Sequence, residues 1–375
     1  MKVLLAGGGT GGHVYPLIAI AEELNAIADE EKILNLKLYY MADAPMDKDV
    51  LEENFITYIP ITAGKIRVYA SFKNITDLFK TGLGILGALW KVFNLYPDIV
   101  ISKGGYASFP VLFAARLFRI PVIIHESDTV PGRVSRWSGK FAKRIALSFP
   151  EAAEYFPKDN ISYTGQPIRK EVRSPGKEGG SSFFGLTEEL PTIGIIGGSQ
   201  GAQAINEAVL EILPQLVARC QIIHQVGTKN VAEVKTRADI ILKDNQYKSR
   251  HKIYASLNNL QMKMFAAAVT LVVSRSGSSL FEFAAWGKPS ILIPYPLAHG
   301  DHQKKNAYHY ARSGACAVIE EVNLTPSVLL HEIEELLTNR EMYDIMAKKA
   351  KEFFKPDAAR VIAAEAVSIA LRHER

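Results

Sequence analysis

The sequence predicts an α/β protein built as two similar halves, each a doubly wound parallel sheet. Three observations predict it. Short apolar runs alternate with helical apolar spacing along the whole chain, the pattern of βα units laid into a parallel sheet. A strand, a glycine-dense turn and a helix open the chain at Val3–Leu24 and recur at Thr192–Leu213, so the scheme starts twice. Between the two, Ser174-Pro-Gly-Lys-Glu-Gly-Gly-Ser-Ser182 is turn-rich and reads as a linker. The chain has 375 residues, 48% hydrophobic and 22% charged, long enough for two separate cores.

In the first half, the apolar run from Val3 is a buried strand. Gly7–Gly12 is the turn, and Pro16–Leu24 has helical spacing. Leu36–Met41 and Phe55–Ile61 read as strands. Residues 71–95 form one or two helices, unusually apolar for a surface: Leu78, Phe79, Leu83, Ile85, Leu86, Leu89, Trp90 and Phe93, set among Lys73, Lys80 and Lys91, suit docking on a membrane, or form a thick helix core. Asp98–Ser102 is a strand entering a second glycine turn, Lys103–Ser108, after which Pro110 opens a helix. Pro121–Glu126, Arg144–Ser148 and Asn160–Thr164 complete the first sheet. The second half runs through the strand Thr192–Ile196, the turn Gly197–Ala202 and the helix Gln203–Leu213. The strands Gln221–Val226, Leu271–Ser274, Pro289–Ile293 and Ala315–Ile319 follow. Arg275–Ser279 is a turn before the helix Leu280–Trp286, and Leu297–Asn306 is a polar loop entering another helix. Pro356 interrupts the helical remainder before a last helix at 357–372. The result is two facing Rossmann-like domains with a cleft between them as the natural ligand site.

Composition narrows the function. Two cysteines, Cys220 and Cys316, make no disulfide framework and show no metal-type spacing. The N-terminal apolar run breaks at Gly7, too early for a secretory segment, and no uncharged apolar run reaches the ~18 residues a spanning helix needs. These features fit a reducing cytoplasm. The net charge of +5 is uneven. Residues 61–145 carry thirteen Lys or Arg against four Asp or Glu, a local excess of nine that points to an anionic partner surface.

The loops suggest the chemistry. Ligands of such sheets bind at the carboxyl ends of strands, and Gly7–His13, Lys103–Ser108 and His125–Asp128 all follow strands. Glycines let a backbone approach an anion, and helix-start N–H groups point at it. His13 stands where the first loop becomes helix; the alternative for it is a capping role in a tight turn. In the second half, Ser199–Ala202 places hydroxyl and backbone donors at a helix start, which suits a diphosphate. Ser276–Ser279 forms a second phosphate nest. Glu282 follows within reach of a ribose, or is a solvated helix carboxylate. Asp301, His302, Gln303 and Asn306 can read sugar hydroxyls, or form a helix start capped by Asp301. His299 and His302 beside Asp301 lack a third spaced ligand for a metal. The second half therefore reads as a nucleotide-sugar holder, and the first as the site of an acceptor bearing phosphates and lipid.

With these residues on view, the ordered set Gly8-Gly-Thr-Gly-Gly-His13, Gly104-Gly-Tyr106, His125-Glu126, Gly165-Gln-Pro-Ile-Arg169, Gly197-Gly-Ser-Gln-Gly201, Arg275-Ser-Gly277, Glu282 and Asp301-His-Gln303 with Asn306 resembles the MurG family, the family-28 glycosyltransferases that make lipid II. The resemblance spans almost the whole chain. It implies a GT-B fold with an N-terminal acceptor domain over residues 1–164 and a C-terminal UDP-GlcNAc domain over 165–356. Residues 357–375 return to the first domain. It implies inverting transfer of N-acetylglucosamine from UDP-GlcNAc to the C4 hydroxyl of the muramyl sugar of lipid I. The enzyme would sit peripherally on the cytoplasmic face of an anionic membrane, with no metal, cofactor or nucleic acid. It places Thr10, Gly11, Gly12, Asp128, Arg169, Ser199, Gln200, Ser276, Gly277, Glu282, His302 and Gln303 at the donor. Gly12, His13, Gly104, Gly105 and Tyr106 meet the acceptor diphosphate. His13, with an imidazole that titrates near ~6.5 unperturbed, is the favoured base, while Asp128 or Glu126 could be the base or orient an imidazole.

Three positions depart from the family pattern. Asp128 stands where an Asn is usual. The turn from Gly277 to Glu282 is one residue short. The uracil-side segment is matched only loosely by Leu257–Met262. Rival readings are a transferase acting on diacylglycerol, a nicotinamide dehydrogenase with Asp43 near the ribose position, and a sugar-nucleotide sensor without turnover.

Overall fold

The computed structural model describes the whole chain except residues 9–10, 45–47, 65–71, 175, 177–178, 199–200 and 374–375. It separates into two compact units, Met1–Arg169 with Lys355–Arg375, and Lys170–Phe354. The division falls after Arg169, so the whole Gly165–Arg169 segment stays with the first unit.

Unit 1 is built on seven parallel strands: β1 Lys2–Ala6, β2 Lys37–Ala42, β3 Ile56–Pro60, β4 Ile99–Ser102, β5 Val122–Glu126, β6 Arg144–Leu147 and β7 Ile161–Tyr163. Their order is β3-β2-β1-β4-β5-β6-β7. The chain runs outward from β1 through β2 to β3, then crosses back to β4 on the other side of β1. The point where the order reverses therefore lies between β1 and β4, whose paired residues run from Val3 and Ile99 to Ala6 and Ser102. Helices cover both faces. Val3 and Leu5 join one core with Leu17, Ile20 and Leu24, while Leu4 and Ala6 join another with Val92, Val111 and Leu112. Burial on both sides explains why β1 reads as a continuous apolar run rather than an alternating one.

The first helix begins at Gly11 and ends at Glu30, so Pro16 lies inside it rather than at its start. Residues 71–95 hold a single helix, Phe72–Leu95. Gly84 lets it approach the chain closely, since a Cβ there would stand 1.9 Å from the carbonyl oxygen of Thr62. The last helix, Ala358–His373, packs on Gly11–Glu30 and contributes Ile362, Ala363, Ala366 and Val367 to the unit 1 core.

Unit 2 carries six parallel strands: β8 Thr192–Ile196, β9 Gln221–Gln225, β10 His251–Tyr254, β11 Leu271–Ser274, β12 Ser290–Leu292 and β13 Cys316–Val318. Their order is β10-β9-β8-β11-β12-β13, which puts the reversal between β8 and β11. Strand β10 is absent from the sequence reading. His-Lys-Ile-Tyr is a half-buried edge strand, paired on one side only, and offers no apolar run. Cys220 and Cys316 are buried free thiols. Among the described residues no helix is long and apolar enough to cross a membrane.

Candidate functional site

In a doubly wound sheet the loops leaving the two strands at the reversal diverge and open a crevice. In unit 1 those connections leave β1 at Gly7 and Gly8, ahead of the helix start at Gly11, and leave β4 at Lys103–Ser108. The structure brings them together. A Cβ on Gly105 would lie 3.1 Å from the carbonyl oxygen of Gly8, and 3.5 and 3.6 Å from Cδ2 and Nε2 of His13. A Cβ on Gly8 would meet Ala107 at 2.9 Å. Gly104 and Gly105 have φ of 73° and 81°, and Gly105 has ψ of 161°, a combination open essentially only to glycine. His13 is the third residue of its helix, so its imidazole is set by the first turn and faces the Gly105 backbone. Gly11 and Gly12 open that same turn. Thr10 lies outside the described residues.

Tyr106 donates its phenolic hydrogen bond to Oδ2 of Asp43 at 2.6 Å. Burial, then this bond, raises the phenol to about 12, so it remains a donor at neutral pH. The other oxygen, Oδ1 of Asp43, is buried and accepts no hydrogen bond from the described residues. Asp43 follows β2 on the same carboxyl edge. The only sequence signal for it is a polar residue just past a buried strand, and the acid that a dinucleotide reading assigns to a ribose is here held by Tyr106.

The segment after β5 separates its three polar residues by role. His125 is fully buried; its Nε2 lies 3.0 Å from the carbonyl oxygen of Gly165 and 3.2 Å from Oγ of Ser148. Burial, reinforced by Lys103, holds its imidazole well below the usual range, so it is neutral and structural. Glu126 is buried as well. Its Oε1 accepts from the backbone N–H of Ser127 at 2.9 Å and of Asp128 at 3.1 Å, and its Oε2 from Gly132 at 3.4 Å. Burial raises this carboxyl and Asp128 adds to the effect, while Lys103 and the Ser135 hydroxyl oppose it. Its oxygens are thus occupied in shaping the 127–132 loop. Asp128 is partly exposed beyond it. Lys103 is itself buried, and desolvation lowers its ammonium against the pull of Glu126 and Asp128. Arg169 is buried in unit 1 with its guanidinium 3.8 Å from the ring centre of Tyr15 on the first helix, a cation–π contact.

In unit 2 the reversal places Gly197–Ala202 after β8 beside Arg275–Ser279 after β11. Ser199 and Gln200 lie outside the described residues. Gly198 and Gly201 have φ of 79° and 77°, and the N–H of Gly201 donates to the carbonyl oxygen of Gly198 at 3.0 Å, closing the turn. Ser276 is fully buried and donates through Oγ to the carbonyl oxygen of Gln303 at 2.7 Å. Asn306, also buried, donates through Nδ2 to the carbonyl oxygen of Ser276 at 3.2 Å. These bonds join the β11 turn to the helix His302–Arg312. Gly277 follows Ser276 in the turn, and Glu282 is partly exposed in the first turn of the helix Leu280–Trp286. Oε1 of Gln303 accepts from the N–H of Tyr295 at 3.0 Å, fixing the loop after β12. His302 is partly exposed, with Nδ1 2.9 Å from the carbonyl oxygen of His299. Asp301 does not cap this helix as expected: its φ of 57° is left-handed and its side chain makes no cap bond, whereas a capping residue needs extended backbone. Arg275 is committed elsewhere, to Glu321 and to the carbonyl oxygen of Ile293 at 3.0 Å. Among the described residues no group of three or more His, Cys, Asp or Glu side chains could hold a metal ion.

The Leu257–Met262 segment that follows β10 runs into the helix Asn259–Ala268, where Asn258 and Gln261 cap each other reciprocally.

The chain matches two family models, the glycosyltransferase family 28 N-terminal domain over residues 3–147 and the C-terminal domain over residues 192–362. A Bacillus cereus protein is 36% identical over 93% of this chain and 95% of its own length. It is named UDP-N-acetylglucosamine–N-acetylmuramyl-(pentapeptide) pyrophosphoryl-undecaprenol N-acetylglucosamine transferase 2. The crystal structure of Acinetobacter baumannii MurG superposes with a TM-score of 0.69 at 27% identity, covering 98% of this chain and 99% of that one. A Neisseria meningitidis UDP-GlcNAc 2-epimerase bound to UDP-GlcNAc superposes with a TM-score of 0.68 at 16% identity, over 99% and 100% of the two chains, and shares the fold alone.

Proposed function

The chain belongs to glycosyltransferase family 28, and from that membership we propose that it transfers N-acetylglucosamine from UDP-GlcNAc to the C4 hydroxyl of the MurNAc of lipid I, forming lipid II. The two sheets are those of a GT-B glycosyltransferase. The observation that carries the reading is the meeting of His13 with the Gly104–Tyr106 turn at the strand-order reversal of unit 1. A family-28 enzyme needs there a backbone that can cradle the acceptor diphosphate, with a proton acceptor beside it.

In this reading unit 1 takes the acceptor. Gly12, Gly104, Gly105 and Tyr106 line its diphosphate, and His13 accepts the C4 hydroxyl proton. The C4 oxygen forms its bond to the anomeric carbon as the bond from that carbon to the UDP oxygen breaks, and configuration inverts. Glu126 positions the 127–132 loop rather than acting as the base. Unit 2 takes the nucleotide. The turn at Gly197–Ala202 and the nest at Ser276–Gly277 supply backbone donors for the departing diphosphate, worth most where water is excluded. Glu282 accepts from ribose hydroxyls, and His302 and Gln303 lie at the sugar side. The donor contacts of Thr10, Gly11, Gly12, Asp128, Arg169, Ser199 and Gln200 rest on the family resemblance alone.

Attachment to the membrane belongs to the helix Phe72–Leu95. Phe79, Leu83, Leu86, Trp90 and Phe93 are 73%, 66%, 65%, 69% and 61% exposed, and their spacing of four, three, four and three residues makes one continuous stripe. Ala88 and Val92 face the core instead. Ile85 and Leu89 are half-buried and do not belong to the stripe, and the Leu78 side chain lies outside the described ones. Exposed Lys80 and the local excess of nine positive charges complement an anionic cytoplasmic leaflet. A peripheral enzyme placed this way would meet a lipid-linked acceptor with the unit that binds it.

Incubation with UDP-GlcNAc and a short-chain lipid I analogue tests the reading. A lipid-linked disaccharide supports it. UDP-GlcNAc binding without transfer to this acceptor, or transfer to diacylglycerol instead, contradicts it.

A further inference from the structure

Beneath the nucleotide side of unit 2 lies a buried amide that no part of the reaction scheme uses. Gln225 is the last residue of β9, the strand between β8 and β10, and is 5% exposed. Its Nε2 donates to two carbonyl oxygens, that of Gly198 at 3.0 Å and that of Ala255 at 3.2 Å. Gly198 belongs to the glycine turn after β8, and Ala255 begins the segment after β10. One side chain therefore ties together the ends of the two strands that flank its own.

The bonds fall on the two carbonyls that organise those segments. The oxygen of Gly198 also accepts the Gly201 N–H that closes the glycine turn, and that of Ala255 also accepts the Gly227 N–H at 3.1 Å. The backbone of Gln225 adds a third link, its carbonyl accepting from the Gly197 N–H at 3.2 Å. At the other end of the turn there is no slack. A Cβ on Gly201 would stand 2.4 Å from Nδ2 of Asn230 and 2.5 Å from the carbonyl oxygen of Val226, which Asn230 and Asn206 both hold. The turn is thus pinned at Gly201 by packing and at Gly198 by Gln225.

Strands two apart in a sheet are separated by about 10 Å at the usual spacing of neighbours. That is the scale on which a nucleoside diphosphate places its base away from its phosphates. We propose that Gln225 is a positioning residue for the sugar-nucleotide donor, its amide setting the spacing between the turn that receives the diphosphate and the segment that receives the base. The proposal rests on the assignment of the donor to unit 2. Gln225 touches no reacting atom; it acts through the backbone of Gly198 and Ala255. Only glutamine supplies two donors at this reach: glutamate would bring a carboxylate against two carbonyl oxygens, and asparagine is one methylene short.

The test is steady-state kinetics of full-length Gln225→Met, which keeps length and loses both donors. Its KM for UDP-GlcNAc should rise about tenfold or more, because the glycine turn and the segment after β10 lose the amide that holds them preorganised for the donor. Its kcat and its KM for the lipid I analogue should stay within about twofold of wild type, the signature of lost ground-state binding. Calorimetry with UDP alone should show the same loss. Gln225→Asn should raise the same KM by less, and it decides the question if the methionine variant does not fold. A folded variant with an unchanged donor KM, or with kcat and both KM values altered together, overturns the proposal. Glu282→Ala, measured alongside, separates the two claims. If it weakens UDP binding while Gln225→Met does not, the positioning role alone fails. If neither variant weakens UDP binding, the donor assignment fails with it.

Discussion

The imidazole of His13 and the backbone of Gly105 face each other, with Nε2 only 3.6 Å from where a Cβ on Gly105 would stand. The two residues are 92 positions apart in sequence and come from the first turn of a helix and the turn after β4. Their approach follows from topology, because β1 and β4 are the neighbours at which the strand order reverses.

This relationship predicts the outcome of Gly105→Ala. At φ 81° and ψ 161° an alanine is strained by about 1–3 kcal/mol, and its methyl would press on the Gly8 carbonyl. Thermal unfolding should show that loss of stability. Kinetics should show a raised KM for the lipid-linked acceptor, with UDP affinity retained. An acceptor KM equal to wild type in the folded variant would remove this turn from the acceptor site.

For Glu282→Ala, calorimetry with UDP-GlcNAc should show affinity weakened by roughly 1.5–3 kcal/mol, the value of a hydrogen bond to a charged group. Unchanged affinity would return Glu282 to the role of a solvated helix carboxylate.

Leu83, Leu86 and Trp90 are exposed, so changing all three to serine should leave the fold intact, surface substitutions each usually costing within about 0.5 kcal/mol. Co-sedimentation with vesicles containing anionic lipid should fall sharply for the triple variant. Wild-type binding should weaken as salt is raised, because the Debye length shrinks. Retention of full binding by the variant would place the membrane face elsewhere.

Two buried histidines, His125 and His224, and the half-buried His251 predict the acid limb of stability. Burial lowers His125 and His224 well below the usual range and His251 to about 4. His224 and His251 approach each other at 3.3 Å between Nδ1 and Nε2, with Asn206 on the far side of His224, and Asp239 pulls His251 the other way. Above pH ~6.5 all three are neutral in both states. Below it the unfolded chain takes up protons that the folded chain refuses, so stability falls as pH drops toward the folded values, by at most about 1.4 kcal/mol per pH unit for each histidine. Glu126, raised by burial, works in the opposite direction above its ordinary value. Denaturant titrations from pH 7 to pH 4 should show the decline, and His251→Gln should make it shallower. An unchanged slope in that variant would contradict the assignment.

Much of this was legible in the residues because the strands are buried on both faces and punctuated by glycine. The apolar runs of β1, β4, β5, β8 and β11 could hardly be read otherwise, and each ends in a polar or glycine turn that topology then carries to one sheet edge. What escaped depends on tertiary contact. Strand β10 lies half-buried at an edge and carries no apolar run. The first helix starts at Gly11 because glycines with His13 form its first turn, while the proline at 16 suggested a later start. Asp301 reads as a cap by residue type, yet its left-handed backbone turns the carboxylate from that role. Asp43 and Gln225 gave no sequence signal beyond a polar residue at a strand end, since their significance lies in Tyr106, Gly198 and Ala255, residues distant in the chain.

In the proposed reaction His13 accepts the proton of the muramyl C4 hydroxyl during transfer. The most direct measurement is kcat of His13→Ala at saturating UDP-GlcNAc and lipid I analogue, beside its melting temperature and its affinity for UDP. A positioned base contributes about 10²–10⁴-fold, so kcat should fall within that range while melting temperature and UDP affinity stay near wild type. A kcat that falls only in step with lost stability, or does not fall, would rule out His13 as the base and leave it as a capping residue in a tight turn.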